Sequence, residues 1–399
     1  MPDRDDLGHA WRVPPSEYLK RRPKTHAVPE PKSCYVPLRD GVRLAVDFYV
    51  PPAKAGAQFP CIVILTPYYR RFAVSGPGSE PAPNVAKYRD FFVPRGYAMV
   101  AVDVRGTGAS FGTRDAFRSP REREDHGEIA DWIVKQPWSN GVIGSTGISY
   151  LGAAACFLAS TGHPAVKAIA PLFAVHDTYA DHVFPGGIMC TTVTENYDDL
   201  VSALDLDQRD KLGPYAYFCD PRYAGPAPVD EDPEGALVRA AIEDHRHGYR
   251  LRDLAPELSF REDPTPHDPD LHSGACSPYY FPAFEAPAAG TPFPPPTGPV
   301  LAFTVGWTAE NASSLRQTLV RDTQVIFATR SGYSPASRYG AGVNGGAGTH
   351  PVGAAYFDRS ADLDWDKRKD GYRFFVPYAT DVILDVSPAH ANSSNKLLR

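Results

Sequence analysis

The chain has 399 residues, 43% of them hydrophobic and 22% charged, enough for one large domain with an accessory piece or for two to three ordinary domains. Its formal net charge is −6 and it carries no basic stripe, which argues against nucleic-acid binding. No apolar run approaches the length of a membrane span.

The six cysteines, Cys34, Cys61, Cys156, Cys190, Cys219 and Cys276, are scattered without a Cys-x-x-Cys pair. They read as reduced thiols, so a cytoplasmic protein is expected. The first residues lack the apolar stretch of a signal peptide.

Residues 1–34 are polar and proline-containing and read as an arm on the domain surface. Arg39-Asp40-Gly41 is a hairpin turn signal, and Val42, Leu44, Val46, Phe48 and Val50 alternate as one face of a strand. Pro60–Leu65 and Ala98–Val104 are continuous apolar runs, as expected of strands buried on both faces. Glu122–Gln136 reads as a helix with Ile129, Trp132 and Ile133 on one face, ended by Pro137. Gly141–Gly147 reads as a strand, Ser149–Thr161 as a helix and Val166–Phe173 as a further strand. This alternation predicts a parallel sheet with right-handed crossovers.

The rhythm is then lost in a proline-rich stretch that contains a helical segment, Glu234–His245, and it reads as an inserted cap. Sheet patterning resumes at Pro299–Val305, with a helix near Ser313–Arg321 and a strand at Gln324–Thr329. Tyr372–Val386 alternates again. The expected organisation is an arm over 1–34, the first part of an α/β core over 35–180 and a cap over 181–298. The last part of the core follows over 299–360, then a β-rich remnant and tail over 361–399.

The stretch Gly141–Gly152, GVIGSTGISYLG, is a short strand, a sharp glycine-flanked turn and an apolar helix. It puts Ser149 at the tip of the turn, where its hydroxyl can face a substrate and the following backbone N–H groups a developing oxyanion. Serine is also a good helix N-cap. The spacing Gly-x-Ser-x-x-Gly departs by one residue from the usual Gly-x-Ser-x-Gly elbow, so the turn alone leaves both readings open. Gly152, Ala153, Ala154 and Ala155 allow the helix to pack close to the sheet.

Three further motifs accompany this one, in order. They are Thr66-Pro67-Tyr68, the run Asp103-x-Arg105-Gly106-x-Gly108-x-Ser110-x-Gly112, and Asp131-Trp132 with Gln136-Pro137-Trp138. Pro185-Gly186-Gly187 and Ser277-Pro278-Tyr279-Tyr280 follow later. Over residues 35 to about 190 the set resembles the α/β-hydrolases of the cocaine esterase and X-Pro dipeptidyl peptidase type, the CocE/NonD family. The resemblance implies an α/β-hydrolase fold with a helical, proline-rich cap. It implies a serine hydrolase that cleaves an ester or X-Pro amide through an acyl-enzyme. Ser149 would then be the nucleophile, and the Tyr68 phenol and the Tyr150 backbone N–H the oxyanion donors. It implies no cofactor and no metal, with a small ester or amide as the only partner, and neither nucleic acid nor membrane; the oligomeric state stays open. Asp103 and Arg105 read as braces of their turn, and Trp132 and Trp138 as core and cap-facing aromatics.

Two positions depart from the family pattern. Its acid lies in a Gly-Trp-x-Asp segment, and here Gly306-Trp307-Thr308-Ala309-Glu310 puts Ala309 at that place. Its histidine lies in a Pro-Trp-x-His-Gly segment, and here Ala328-Thr329-Arg330-Ser331-Gly332 puts Ser331 there. Serine cannot serve as a base at neutral pH. Three readings stay open. Glu310 and His350 can replace the lost pair; the chain can be a non-catalytic ligand-binding or scaffold homologue; or the reading frame is disturbed after about residue 300. The family's β domain would need more than the 40 or so residues after Phe357, so the chain reads as shortened at its carboxyl end.

Overall fold

The computed structural model describes residues 19–259, except 117–118, 173–182, 185–188, 213–220 and 249, together with short strands at 264–265, 268–272, 301–304, 324–327, 344–345 and 347–348. Its centre is one eight-stranded sheet. The strands are β1 (Lys32–Pro37), β2 (Arg43–Tyr49), β3 (Phe59–Thr66), β4 (Ala98–Asp103), β5 (Ser139–Ile148), β6 (Val166–Leu172), β7 (Leu301–Thr304) and β8 (Gln324–Phe327). Their order across the sheet is β1-β2-β4-β3-β5-β6-β7-β8. β2 runs antiparallel to both its neighbours, and every other pairing is parallel.

The hairpin turn forms where the sequence places it. Gly41 takes φ 83°, and the Asp40 carboxylate accepts from the Val42 N–H at 3.2 Å. β1 opens at Lys32, ahead of Tyr35, where the alternation becomes visible. All six residues of β4 are buried, as in a strand covered on both faces.

Three helices flank the sheet: α1 (Ala86–Phe92), α2 (Pro120–Val134) and α3 (Tyr150–Ser160). α2 starts two residues before the predicted boundary. Ser119 caps it, accepting from the Glu122 N–H at 3.3 Å, and Pro120 occupies its first position. The Ser-x-x-Glu spacing is a readable helix start. All eleven residues of α3 are buried, consistent with a helix apolar on every side.

In the insertion, a π-helical turn over Thr192–Tyr197 runs into α4 (Asp198–Asp205), and α5 (Ala236–His245) follows. The short strand Tyr223–Pro226 pairs antiparallel with Phe72–Val74. Leu200, Leu204, Leu212 and Tyr223 pack with Tyr69 and Phe72, which seats this part of the insertion on the loop after β3.

The core reading of Trp132 and Trp138 holds. Trp132 and Trp138 pack on Phe48 of β2, with ring centroids 5.8 and 6.1 Å away. The Trp138 carbonyl accepts from the Phe59 N–H at 2.8 Å, at the start of β3. The pair packs against the core. The reason is connectivity: α2 delivers the chain through Pro137 to the start of β5, at the amino edge of the parallel strands, opposite Ser149.

The predicted helix near 313–321, the alternating segment 372–386 and the Pro185-Gly186-Gly187 and Ser277–Tyr280 motifs lie outside the described residues. Among the described residues, no helix is long and apolar enough to cross a membrane.

Candidate active site

β5 ends at Ile148 and α3 begins at Tyr150, so Ser149 is the single residue between strand and helix. Its backbone sits at φ 61° and ψ −118°, a region that a residue with a side chain rarely adopts. Such conformations cost about 1–3 kcal/mol and gather at functional sites. The serine is exposed, and its hydroxyl makes no capping hydrogen bond, so the N-cap reading does not hold. A Cβ on Gly147 would lie 2.2 Å from the Leu151 Cβ and 2.6 Å from its carbonyl carbon. Only glycine fits there. The close approach across this elbow falls between Gly147 and Leu151, which shows how the turn forms despite the shifted second glycine.

Tyr68 lies two residues beyond the end of β3. β3 and β5 are parallel neighbours, with Val63 opposite Ser145, so Tyr68 and Ser149 follow adjacent strands at the same carboxyl edge. Open α/β sheets hold their ligands at that edge. The Tyr68 loop is fixed at several points. Its N–H donates to the Thr66 hydroxyl at 3.0 Å, and the Asn84 side-chain amide donates to its carbonyl. Its ring meets the ring of Tyr150 edge-on at 6.2 Å, and its hydroxyl lies 2.6 Å from that of Tyr197. The next residue, Tyr69, has φ 64° and is buried, its hydroxyl donating to the Leu204 carbonyl. Among the described residues only Tyr69, Ser149 and Asp207 are non-glycines with positive φ. Two of the three thus follow the adjacent strands β3 and β5 at this edge.

Tyr150 is buried, and its hydroxyl donates to the Glu122 carboxylate, 2.8 and 2.7 Å from the two oxygens. The side chain is therefore held by α2. Its backbone N–H opens α3, where N–H groups precede the i→i−4 ladder and the helix dipole favours negative charge.

The loop after β4 is braced by charge. Asp103 accepts from the Arg70 N–H at 2.5 Å, the Arg70 guanidinium at 2.9 Å and the Ala109 N–H at 3.0 Å. Arg70 also donates to Asp47 and to the Ala227 carbonyl, both at 2.9 Å. Burial pushes the Asp103 carboxyl above its ordinary value, with the Arg70 charge pulling the other way. Burial opposes the Arg70 charge, yet Asp47 and Asp103 hold that guanidinium above its ordinary value. A Cβ on Gly108 would meet the Asp103 carboxylate at 2.4 Å. Arg105 forms a bidentate pair with Asp125, both contacts at 2.7 Å, and reaches Asp40 at 2.7 Å. Asp103 and Arg105 are braces, as their sequence context indicates.

Sequence reasoning missed Arg70, Glu122 and Tyr197. Arg70 follows the Thr-Pro-Tyr motif directly and Glu122 completes the capping spacing, so both had a local signal. Tyr197 had none. Glu310 and His350, and the substituted positions Ala309 and Ser331, lie outside the described residues. Of the buried histidines, His245 has its ring nitrogens 2.7 Å from the Asp205 and Ser110 carbonyls, and His126 faces Glu122 within α2 at 3.6 Å. Among the described residues, no group of three or more His, Cys, Asp or Glu side chains could hold a metal ion.

Comparison with known proteins matches residues 40–248 to the model of the X-Pro dipeptidyl-peptidase (S15) family. A protein named as a serine esterase, from Mycobacterium bovis, is 41% identical over 246 residues, which cover 59% of this chain and 39% of that protein. The cocaine esterase of a Rhodococcus strain is 33% identical over 180 residues, covering 45% of this chain and 30% of that one. A crystal structure of a CocE/NonD family hydrolase from Staphylococcus aureus aligns with a TM-score of 0.49 at 18% identity, covering 88% of this chain and 57% of that chain. The chain thus spans no more than about two fifths of these curated relatives. The family match takes in all four motifs, from Thr66-Pro67-Tyr68 to the Ser149 elbow. The chain belongs to the X-Pro dipeptidyl-peptidase (S15) family and has its α/β-hydrolase fold.

Proposed function

We propose that this protein is a serine hydrolase that cleaves an ester, or an X-Pro amide, through an acyl-enzyme intermediate. The observation that carries the reading is the backbone of Ser149, at φ 61° between β5 and α3, with its hydroxyl committed to no cap. The Ser149 oxygen attacks the acyl carbon as a base removes its proton. The Tyr68 phenol and the Tyr150 backbone N–H stabilise the oxyanion; one such donor is worth about 3 kcal/mol. The leaving alcohol or amine departs with a proton, and water then releases the acyl group. We assign the base to His350 and its orienting acid to Glu310, in the chain order serine, acid, histidine. We read 181–298 as a cap that divides the core, a reading supported by the parallel pairing of β7 with β6. A cytoplasmic location, suggested by the scattered cysteines, belongs to the same proposal.

Ala309 and Ser331, at the positions where the family places its acid and base, favour a second reading. In it the protein binds a ligand on the same site without turning it over. Loss of a triad member leaves only about 10³–10⁴-fold acceleration over water.

Fluorophosphonate labelling and p-nitrophenyl acetate hydrolysis distinguish the two, applied to the wild type, Ser149→Ala and His350→Ala. The hydrolase reading expects labelling and turnover that Ser149→Ala abolishes and His350→Ala strongly reduces. A wild type with neither labelling nor Ser149-dependent turnover would overturn the hydrolase reading.

A further inference from the structure

We infer that Tyr197, contributed by the insertion, is a positioning residue for the oxyanion site: its hydroxyl donates to that of Tyr68, so that the Tyr68 proton is aimed at the oxyanion on Ser149. The inference rests on the hydrolase reading above.

The two hydroxyls are 2.6 Å apart, a short O–H···O contact. A single proton lies between them. If Tyr68 supplies it, Tyr68 has none left for the substrate. If Tyr197 supplies it, Tyr68 keeps its own proton and becomes a stronger donor, because successive hydrogen bonds polarise one another. A negative charge forming beyond Tyr68 selects the second arrangement. Tyr197 therefore sets the direction of the Tyr68 rotor as the tetrahedral species forms.

The placement of Tyr197 suits that role. It closes the π-helical turn Thr192–Tyr197, a geometry frequent at functional sites. The next residue, Asp198, is buried; it accepts from the Leu251 N–H at 2.7 Å and from the Arg250 side chain at 3.1 and 2.9 Å. One and two turns on, Leu200 and Leu204 pack with Tyr69, whose hydroxyl donates to the Leu204 carbonyl. Tyr68 and Tyr197 are thus joined twice, through their own hydroxyls and through the contact of Tyr69 with α4. The Tyr68 ring rests against Tyr150, the residue after the nucleophile. A hydroxyl bonded to Tyr197, on a ring packed against Tyr150, loses little orientation when the reaction begins.

The test compares Tyr68→Phe, Tyr197→Phe, the double variant and Ser149→Ala, measuring kcat and KM for p-nitrophenyl acetate. Phenylalanine keeps the ring packing at both positions. Tyr197→Phe is expected to lower kcat about 3- to 10-fold, the value of one net hydrogen bond, with KM nearly unchanged. Tyr68→Phe is expected to lower kcat about 10²-fold. The double variant should match Tyr68→Phe alone, because aiming a donor has no effect once the donor is gone. Multiplying losses in the double variant, an unchanged kcat in Tyr197→Phe, or an effect on KM alone would overturn the inference while leaving the hydrolase reading intact. Turnover that is absent, or that survives Ser149→Ala, overturns the hydrolase reading and the role of Tyr197 with it.

Discussion

The hydroxyl of Tyr150 donates to the Glu122 carboxylate, 2.8 and 2.7 Å from its two oxygens, and so ties the residue after Ser149 to a helix 28 positions upstream. Both groups are buried. Tyr150→Phe deletes only the hydroxyl and leaves a buried carboxylate short of a donor. A hydrogen bond to a charged group is worth about 1.5–3 kcal/mol, so a stability loss of that size is expected from urea unfolding. Adding Glu122→Gln should cost less in Tyr150→Phe than in the wild type. Additive losses would show that the two side chains act independently.

The backbone of Ser149 leads to a second prediction. Its φ of 61° strains any residue with a Cβ, whereas glycine adopts it readily. Ser149→Gly and Ser149→Ala both remove the nucleophile and differ only in that Cβ. Strain relief of about 1–3 kcal/mol exceeds the extra unfolded-state entropy of glycine, about 0.5–1 kcal/mol. Ser149→Gly should therefore melt higher than Ser149→Ala in calorimetry. Equal or reversed melting temperatures would mean that the elbow relaxes when the hydroxyl is removed.

His126 supplies a pH dependence. It is buried in α2, where the lack of solvation, reinforced by the Arg123 charge, pushes its imidazole down to about 3. In the unfolded chain the same group titrates near 6.5. The unfolded state therefore takes up the proton first as the pH falls. The folded state keeps its full advantage above about pH 6.5 and loses it progressively between there and about pH 3. The slope is about 1.4 kcal/mol per pH unit, or about 2 kcal/mol between pH 7 and pH 5. His126→Leu removes this term, so its unfolding midpoint in urea should fall less than that of the wild type between those pH values. Identical slopes would exclude His126 as the group responsible.

The elements around the site were readable because they depend on local rules. Continuous apolar runs such as Ala98–Val102 announce buried strands, and Gly147 marks a point where the strand meets the first turn of the helix too closely for a side chain. Arg39-Asp40-Gly41 specified its own turn. The boundary of α2 was missed by two residues because Ser119 and Glu122 were not read as a capping pair. Trp132 and Trp138 were readable as core aromatics, but not as partners of Phe48. Periodicity shows that an indole is buried without showing which edge of the sheet buries it.

The sequence by itself determined the alternation of strand and helix, the position of Ser149 on its turn, and the family, since these reside in patterns a few residues long. The tertiary structure alone decided how the site is held. Arg70 bridges Asp47 and Asp103 across 23 and 33 positions, Glu122 meets Tyr150 across 28, and Tyr68 meets Tyr197 across 129. Each pairing joins side chains that no local rule relates. They meet because the crossovers bring the ends of β3, β4 and β5 to one edge and the insertion folds back onto it. A buried polar group must then find a partner among whatever the fold delivers.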